Sequence, residues 1–449
     1  MPTISTIQHA LATGQATASS LVDASFEAIQ RDTHVDPSTY VSVDRESSHA
    51  AAMTSDALRL RDYVPSSLAG VPVSIKDLFD VKGEVTAAGS RVLQGAEPAT
   101  RDSVAVSRLR DAGAVFVGRT NMSEFAYSGL GLNPHHGTPR NPHDARRVAG
   151  GSSSGAAVSV ARSHVAWALG TDTGGSLRIP AAFCGLTAFK PTARRVPLDG
   201  VLPLASAFDS VGAIANSVDC CAAADAILSA ETPDTTARPL DTLRLCVAYA
   251  DVVDDAEDAV RAAFERALDE LRTAGATIES IDFPELRDVL EHAPQPGITA
   301  SQAWAWHRHL VTREGHRYDP RVLARLRWGE RFLAADYIDL MAARERFIRG
   351  ARRRLAPFDA WLMPTVAIVA PFLEALEHDD EHFFAVNAKT LRNPGIVNLL
   401  DGCALTLPCH REGELPVGMS IVGPAFADAA VLAIGRGVEA RFRQMRSNA

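Results

Sequence analysis

The sequence predicts an α/β fold: one domain with a mixed, largely parallel central β-sheet flanked by helices. Three observations carry this expectation. Helical and strand-like segments alternate along the chain, with no internal repeat and no low-complexity linker. Residues 243–249 and 277–283 read as strands on either side of an amphipathic helix with Val260, Phe264, Ala267, Leu268 and Leu271 at helical spacing. That is a β-α-β unit, and it requires a parallel pair. The apolar stretch 164–169 runs into a glycine-rich turn at 170–176, and ligands in open sheets sit beyond that end of a strand.

The elements follow in order. Residues 5–30 and 48–63 are helical. Residues 68–72 turn into a strand over 73–81 that holds Lys76 and Asp77. Residues 103–112 read as a helix, 114–118 as a buried strand, and 121–127 as the start of a helix. The loop 129–144 holds His135, His136 and His143, with no HExxH spacing, so loop histidines are expected rather than a metal site. Residues 154–161 form a helix of small residues. Short strands are expected at 187–192 and 201–204, and a helix at 218–228. Residues 298–356 are mostly helical, with Arg344, Arg346, Arg349, Arg352, Arg353 and Arg354 expected on a solvated face. Strands at 360–363, 404–407 and 417–422 precede a closing helix at 429–441.

Bulk properties narrow the function classes. With 449 residues, 46% of them apolar, the chain can bury a large core. A net charge of −9 argues against nucleic acid or an anionic membrane as an obligate partner. No uninterrupted apolar run of about 18 residues appears, so no membrane span is expected. Residues 1–5 show no start of a secretory signal. The six cysteines match neither zinc spacing nor a disulfide scaffold, and reduced, mostly buried thiols of a cytoplasmic protein are expected. Of the 45 basic residues only Lys76, Lys82, Lys190 and Lys389 are lysine. Arginine cannot give up its proton near neutral pH, whereas a buried lysine can.

The stretch Gly150-Gly151-Ser152-Ser153-Ser154-Gly155, an Ala/Val run, and Gly170-Thr171-Asp172-Thr173-Gly174-Gly175-Ser176-Leu177-Arg178-Ile179-Pro180 concentrate hydroxyls and freely turning backbone. A nucleophile site needs both. Flexible turns without chemistry are the plain alternative. A GxSxG elbow at Ser153 would need a strand just before it, and residues 141–148 are polar and turn-like. An aspartic protease would need a second partner for Asp172-Thr173-Gly174, and no second Asp-Thr-Gly or Asp-Ser-Gly is present.

Taken together the two clusters resemble the amidase signature family over about 31 residues. The resemblance extends to Gly70-Val71-Pro72-Val73-Ser74-Ile75-Lys76-Asp77, to 118–125, Arg140-Asn141-Pro142, 180–185 and Lys190-Pro191-Thr192, and more loosely to Asn398, Gly402, Pro408 and 415–419. It implies a single unit over 1–449, with a core at 65–215 carrying the chemistry and 235–449 completing the sheet and pocket. It implies a triad of Lys76 as neutral base, Ser152 as relay with a cis bond to Gly151, and Ser176 as nucleophile. The oxyanion would be held by N–H groups of Thr173, Gly174, Gly175 and Ser176, and Asp172 and Arg178 would brace their loop. Tyr127, Ser128, Gly129 and Ile179 are the candidate substrate-binding residues; Tyr127 and Phe125 fit either an aromatic-friendly acyl pocket or the core. No metal or cofactor is implied, the partner is a small amide, and a homodimer is compatible with the family.

A free lysine, with pKa about 10.4, is protonated at neutral pH, so the chemistry demands a buried amine. Asp77 should therefore face away from Lys76. Residues 387–401 look like stand-alone amidases and ureide-cleaving members such as allophanate hydrolases, although Gly402-Cys403-Ala404 replaces the more usual Gly-Leu-Pro. The rival functions are the amidase component of a tRNA-dependent amidotransferase and a non-catalytic binding module of the same fold.

Overall fold

The computed structural model describes residues 2–34, 36–292 and 297–447. Its strands are β1 (Tyr40–Val43), β2 (Pro72–Lys76), β3 (Val115–Thr120), β4 (Trp167–Asp172), β5 (Thr187–Lys190), β6 (Ser210–Ala215), β7 (Arg244–Val247), β8 (Thr277–Ser280), β9 (Ala360–Pro364), β10 (Cys403–Pro408) and β11 (Gly418–Gly423). They form a single sheet in the order β1-β3-β2-β4-β6-β5-β10-β11-β9-β7-β8, with helices packed against it. The sheet is mixed, as expected, but the expected excess of parallel pairs is not there. Among the described strands only β2–β3, β2–β4, β7–β8 and β7–β9 are parallel pairs. The pairs β1–β3, β4–β6, β5–β6, β5–β10, β10–β11 and β9–β11 are antiparallel.

Strand β6 accounts for much of that difference. Its sequence, Ser-Val-Gly-Ala-Ile-Ala, has few of the β-branched and aromatic residues by which strands are recognised. Small residues are required there: a Cβ on Gly212 would lie 2.3 Å from the Phe189 carbonyl oxygen of the neighbouring strand. No strand forms at 201–204, where Val201 makes only an isolated bridge to Phe79.

The parallel trio β3-β2-β4 positions the site. Ile75 of β2 pairs with Leu169 of β4, so Lys76 and the pair Thr171–Asp172 emerge at the same edge of the sheet. Every residue of β2, β4 and β6 is buried, including the polar Ser74, Lys76, Thr171, Asp172 and Ser210. Strand β4 runs to Asp172, so Gly170 and Thr171 belong to the strand rather than to the turn. The small-residue helix Ser154–Ala161 packs on this part of the sheet, and Ser159 Oγ lies 2.9 Å from Ser74 Oγ of β2.

Other segments are adjusted. The helix expected at 5–30 is two, Ile4–Ala12 and Ala18–Thr33. Thr17 starts the second with a reciprocal capping box to Ser20. Residues 121–127 hold only a short turn of 3-10 helix, Glu124–Ala126. Two helices that sequence reasoning does not place, Arg178–Cys184 and Asp380–Leu399, both reach the site. Arg344 is not on a solvated face. It is buried and donates to the carbonyls of Asn398 and Leu399, at the end of the helix Asp380–Leu399. All six cysteines are free thiols. No described helix is long and apolar enough to cross a membrane.

Candidate active site

Lys76, the last residue of β2, is fully buried. Its Nζ lies 2.7 Å from Ser152 Oγ and 2.9 Å from Thr171 Oγ1. Burial pulls its pKa down to about 7, against the opposing charges of Asp172 and Asp209. Asp77 is directed elsewhere: it accepts from Arg119 Nε at 2.7 Å and from the Gly89 N–H at 2.9 Å. The hydrogen-bond partners of the amine are therefore hydroxyls and not carboxylates.

The peptide bond between Gly151 and Ser152 is cis. Its surroundings are tightly specified. The Gly151 N–H donates to the Gly129 carbonyl at 2.8 Å, and the Ser123 N–H donates to the Ser152 carbonyl at 3.1 Å. Gly131 has φ +83, and a Cβ on it would fall 2.4 Å from the Gly150 oxygen, so only glycine fits. Ser153 precedes the helix Ser154–Ala161, and its N–H donates to the Ser176 carbonyl at 3.3 Å, joining the two serine clusters through the backbone. No strand precedes Ser153, so the elbow geometry is absent.

The loop after β4 is held by Asp172. Its carboxylate accepts from the Gly175 and Leu177 N–H groups at 2.9 and 3.2 Å, and from Arg178 Nε and Nη2 at 3.0 and 2.9 Å. Asn398 Nδ2 adds a donor at 3.0 Å, and Arg178 also donates to Asn398 Oδ1 and the Pro394 carbonyl. Burial alone would push the Asp172 carboxyl up, but Arg178 and these donors hold it well below the usual carboxylate range. Asp172 is thus a fully engaged brace, not an acid free for proton transfer.

Gly175 has φ +123, and a Cβ there would lie 2.7 Å from Ile179 Cδ1 and Pro394. The Gly175 N–H is committed to Asp172. Of the four expected oxyanion donors, the N–H groups of Thr173, Gly174 and Ser176 remain without a protein acceptor among the described residues. Thr173 is fixed by its hydroxyl, which donates to Asp209 Oδ1 at 2.5 Å. Burial raises the Asp209 carboxyl, while Thr173 and the Leu204 and Ala205 N–H groups oppose that rise.

Ser176 opens onto a cavity of about 40 Å³. Tyr127, Ser128, Thr173, Gly174 and Arg325 share its lining, with the small remainder supplied by neighbouring apolar residues and Thr299. Tyr127 and Ser128 thus adjoin Ser176 in this lining. Gly129 and Ile179 are not in the lining. They pack on each other, and a Cβ on Gly129 would sit 3.1 Å from Ile179 Cδ1. Phe125 joins His307 and Tyr318 instead, with ring centres 4.5 and 5.3 Å away. The segment before Tyr127 is strained: Phe125 and Ala126 have φ of 50° and 58°. Left-handed backbone costs about 1–2 kcal/mol at each non-glycine residue, and such strain concentrates at functional sites.

Thr171, Asp209, Asn387 and Arg325 are not found by sequence reasoning. Asn387 Oδ1 accepts from Ser128 Oγ at 3.2 Å and from the Gly129 N–H at 2.9 Å, although it lies 259 positions beyond Ser128. Only Thr171 carries a local signal, lying one residue before the brace Asp172. The loop histidines serve neighbours outside the site: His135 Nε2 meets Glu124 Oε1 at 2.8 Å and His143 Nε2 meets the Cys184 carbonyl at 3.1 Å.

A family model described as Amidase matches residues 21–432. The 2-amino-5-chloromuconic acid deaminase of Comamonas testosteroni is 35% identical over 416 residues, covering 90% of this chain and 88% of that protein. A glutamyl-tRNA(Gln) amidotransferase subunit from Chloroflexus aggregans is 32% identical over 469 residues, covering 96% of this chain and 95% of its own. A crystal structure of an amidase superposes with a TM-score of 0.88 at 32% identity, covering 98% of this chain and 100% of that one.

Proposed function

We propose, from the premise that this chain belongs to the amidase signature family, that it hydrolyses a small carboxylic amide or ureide to the acid and ammonia through an acyl-enzyme on Ser176. It is a hydrolase of carbon–nitrogen bonds. The observation that carries the finer reading is the contact between a buried amine, with pKa near 7, and a serine hydroxyl 2.7 Å away.

In this reading neutral Lys76 takes the proton of Ser152. Ser152 takes that of Ser176, and Ser176 Oγ attacks the amide carbon. Charge develops on the carbonyl oxygen, next to the N–H groups of Thr173, Gly174 and Ser176. One such donor is worth about 2.7–4 kcal/mol to the transition state. The proton then returns through Ser152 to the leaving nitrogen and ammonia departs; water next attacks the ester while giving a proton to Ser152 and Lys76, and that proton returns to Ser176 Oγ as the acid leaves. Thr171 orients the amine, and Asp172 with Arg178 and Asn398 keeps the loop in shape.

The test is the purified chain alone against aliphatic, aryl and ureido amides. Ammonia release is expected, with an acyl mass increment on the peptide that contains Ser176. The amidotransferase reading draws on 32% identity to a component of such an enzyme over 96% of the chain. It predicts ammonia only when partner proteins and charged tRNA are added. A chain that releases no ammonia under either condition is a binding module. Six free thiols and the acidic net charge favour a cytoplasmic enzyme acting on a small molecule, without nucleic acid.

A further inference from the structure

Strand register brings a second carboxylate to the loop that carries Ser176. Strands β4 and β6 run antiparallel with Asp172 opposite Ser210, and Ser210 Oγ donates to the Asp172 carbonyl at 2.8 Å. One position beyond that pair lie Thr173 on one side and Asp209 on the other, which the register sets next to each other. Asp209 is buried. Besides the Thr173 hydroxyl at 2.5 Å, it accepts from the Leu204 N–H at 3.0 Å and the Ala205 N–H at 3.1 Å. Thr173 and Leu204 both line the cavity of Ser176, so one carboxylate ties two parts of its wall together.

The carboxylates that act on the Lys76 amine are Asp172 and Asp209, and they differ in their surroundings. Asp172 is paired with Arg178 at 2.9 Å, and the charge of Lys190 also acts on it. Asp209 forms no ion pair among the described residues. Its donors are a hydroxyl and two backbone N–H groups, which spread a negative charge without cancelling it. A buried charge without a counter-ion is expensive. The cation whose charge reaches Asp209 is Lys76, and Lys76 becomes a cation at the moment it takes the relayed proton.

We propose that Asp209 is a positioning residue with two tasks: its carboxylate holds Thr173 so that the Thr173 N–H meets the reacting carbonyl oxygen, and it is the counter-charge for the ammonium that forms on Lys76. The proton itself never passes to Asp209; it stays on the path from Ser176 through Ser152 to Lys76. Burial makes the amine a weaker base, and the Asp209 charge opposes that weakening, which keeps Lys76 able to hold a proton near neutral pH. Asp172, cancelled by Arg178, is left to shape the loop. This inference rests on the reading of Lys76 as the base of the relay.

The experiment follows the Lys76 Nζ signal against pH in ¹⁵N-lysine-labelled protein, together with kcat and KM against pH on the amide that the wild type turns over fastest. The proteins are the wild type, Asp209→Asn and Thr173→Val. Asp209→Asn removes the charge, so a proton on Lys76 is less favourable. The proton affinity of Lys76 is expected to fall about tenfold or more, the lower end of what a nearby opposite charge supplies, and the rise of kcat with pH moves to lower pH with it. Thr173→Val removes the clamp and keeps the charge. Its kcat is expected to fall about 10- to 10²-fold with KM little changed, while Lys76 titrates as in the wild type. Where Asp209→Asn does not fold, Asp209→Ser removes the same charge and takes its place. A carboxylate that only shapes the loop would lower kcat or Tm in Asp209→Asn and leave the Lys76 midpoint unmoved; that result overturns the counter-charge and leaves the amidase reading standing. An unchanged kcat in Thr173→Val overturns the clamp. A Lys76 midpoint that moves in Asp209→Asn, in a chain that turns over no amide and forms no acyl adduct, supports the counter-charge and contradicts the reading of Ser176.

Discussion

Ser176→Ala is expected to lower kcat by about 10⁴- to 10⁶-fold, the range seen when the nucleophile of a serine relay is removed. The substitution deletes one oxygen at the edge of the cavity. It leaves the Ser153 N–H bonded to the residue 176 carbonyl, and Asp172 bonded to the Gly175 and Leu177 N–H groups. The loop should therefore keep its shape, and Tm should move little. Burst-phase ammonia and the acyl mass increment should disappear together. A Ser176→Ala protein that still turns over amides at a rate within tenfold of wild type would move the nucleophile elsewhere. Ser152, whose hydroxyl already meets the Lys76 amine at 2.7 Å, would be the alternative to test.

Lys76→Arg is expected to be nearly as damaging as Lys76→Ala, with kcat down by about 10²- to 10⁴-fold for loss of a general base. The two cations differ in one respect that matters here. Burial brings the pKa of Lys76 to about 7, where it can accept a proton, while a guanidinium stays charged at any working pH. If position 76 served only as a positive charge, Lys76→Arg would keep most of the activity and Lys76→Ala would not. Far-ultraviolet circular dichroism and a melt on each variant separate lost chemistry from a lost fold. Partial recovery of Lys76→Ala by a small primary amine in the buffer would support a missing base.

Much of the site is legible in the sequence because its chemistry is local. The glycines and serines of 150–155 and 170–176 lie in two short runs, and the backbone of each run shapes the site. Lys76 stands out as an amine set among Val73, Ile75 and Leu78, and burial lowers an amine's pKa wherever it occurs in sequence. The resemblance supplies the pairing of the runs.

What is not legible depends on distant neighbours. β6 is small because Phe189 presses on Gly212, and nothing within Ser210–Ala215 announces that. The helix Asp380–Leu399 carries Asn387, Pro394 and Asn398 to the site, yet Pro394 inside it argues locally against a helix. Gly129 and Ile179 suggest substrate contacts because they adjoin Ser128 and Arg178 in the chain. In the fold that adjacency directs them at each other. Arg325 is one arginine among many in a helical stretch, and its place in the lining of the Ser176 cavity is a fact about three-dimensional neighbours.

The most direct test of the proton relay is the titration of Lys76 itself. The chain has only Lys76, Lys82, Lys190 and Lys389, so ¹⁵N-lysine labelling gives four Nζ signals, and Lys76→Met identifies the one that matters. Lys190, buried between the carbonyls of Pro191 and Gly402, should titrate at about 8 and serves as an internal comparison. A base acts only when unprotonated, so activity should rise with pH along the same curve that reports loss of the Lys76 proton. The account predicts a shared midpoint near pH 7. A Lys76 signal that stays protonated up to about pH 10, the ordinary range of a free lysine, in an enzyme already active at neutral pH would contradict it.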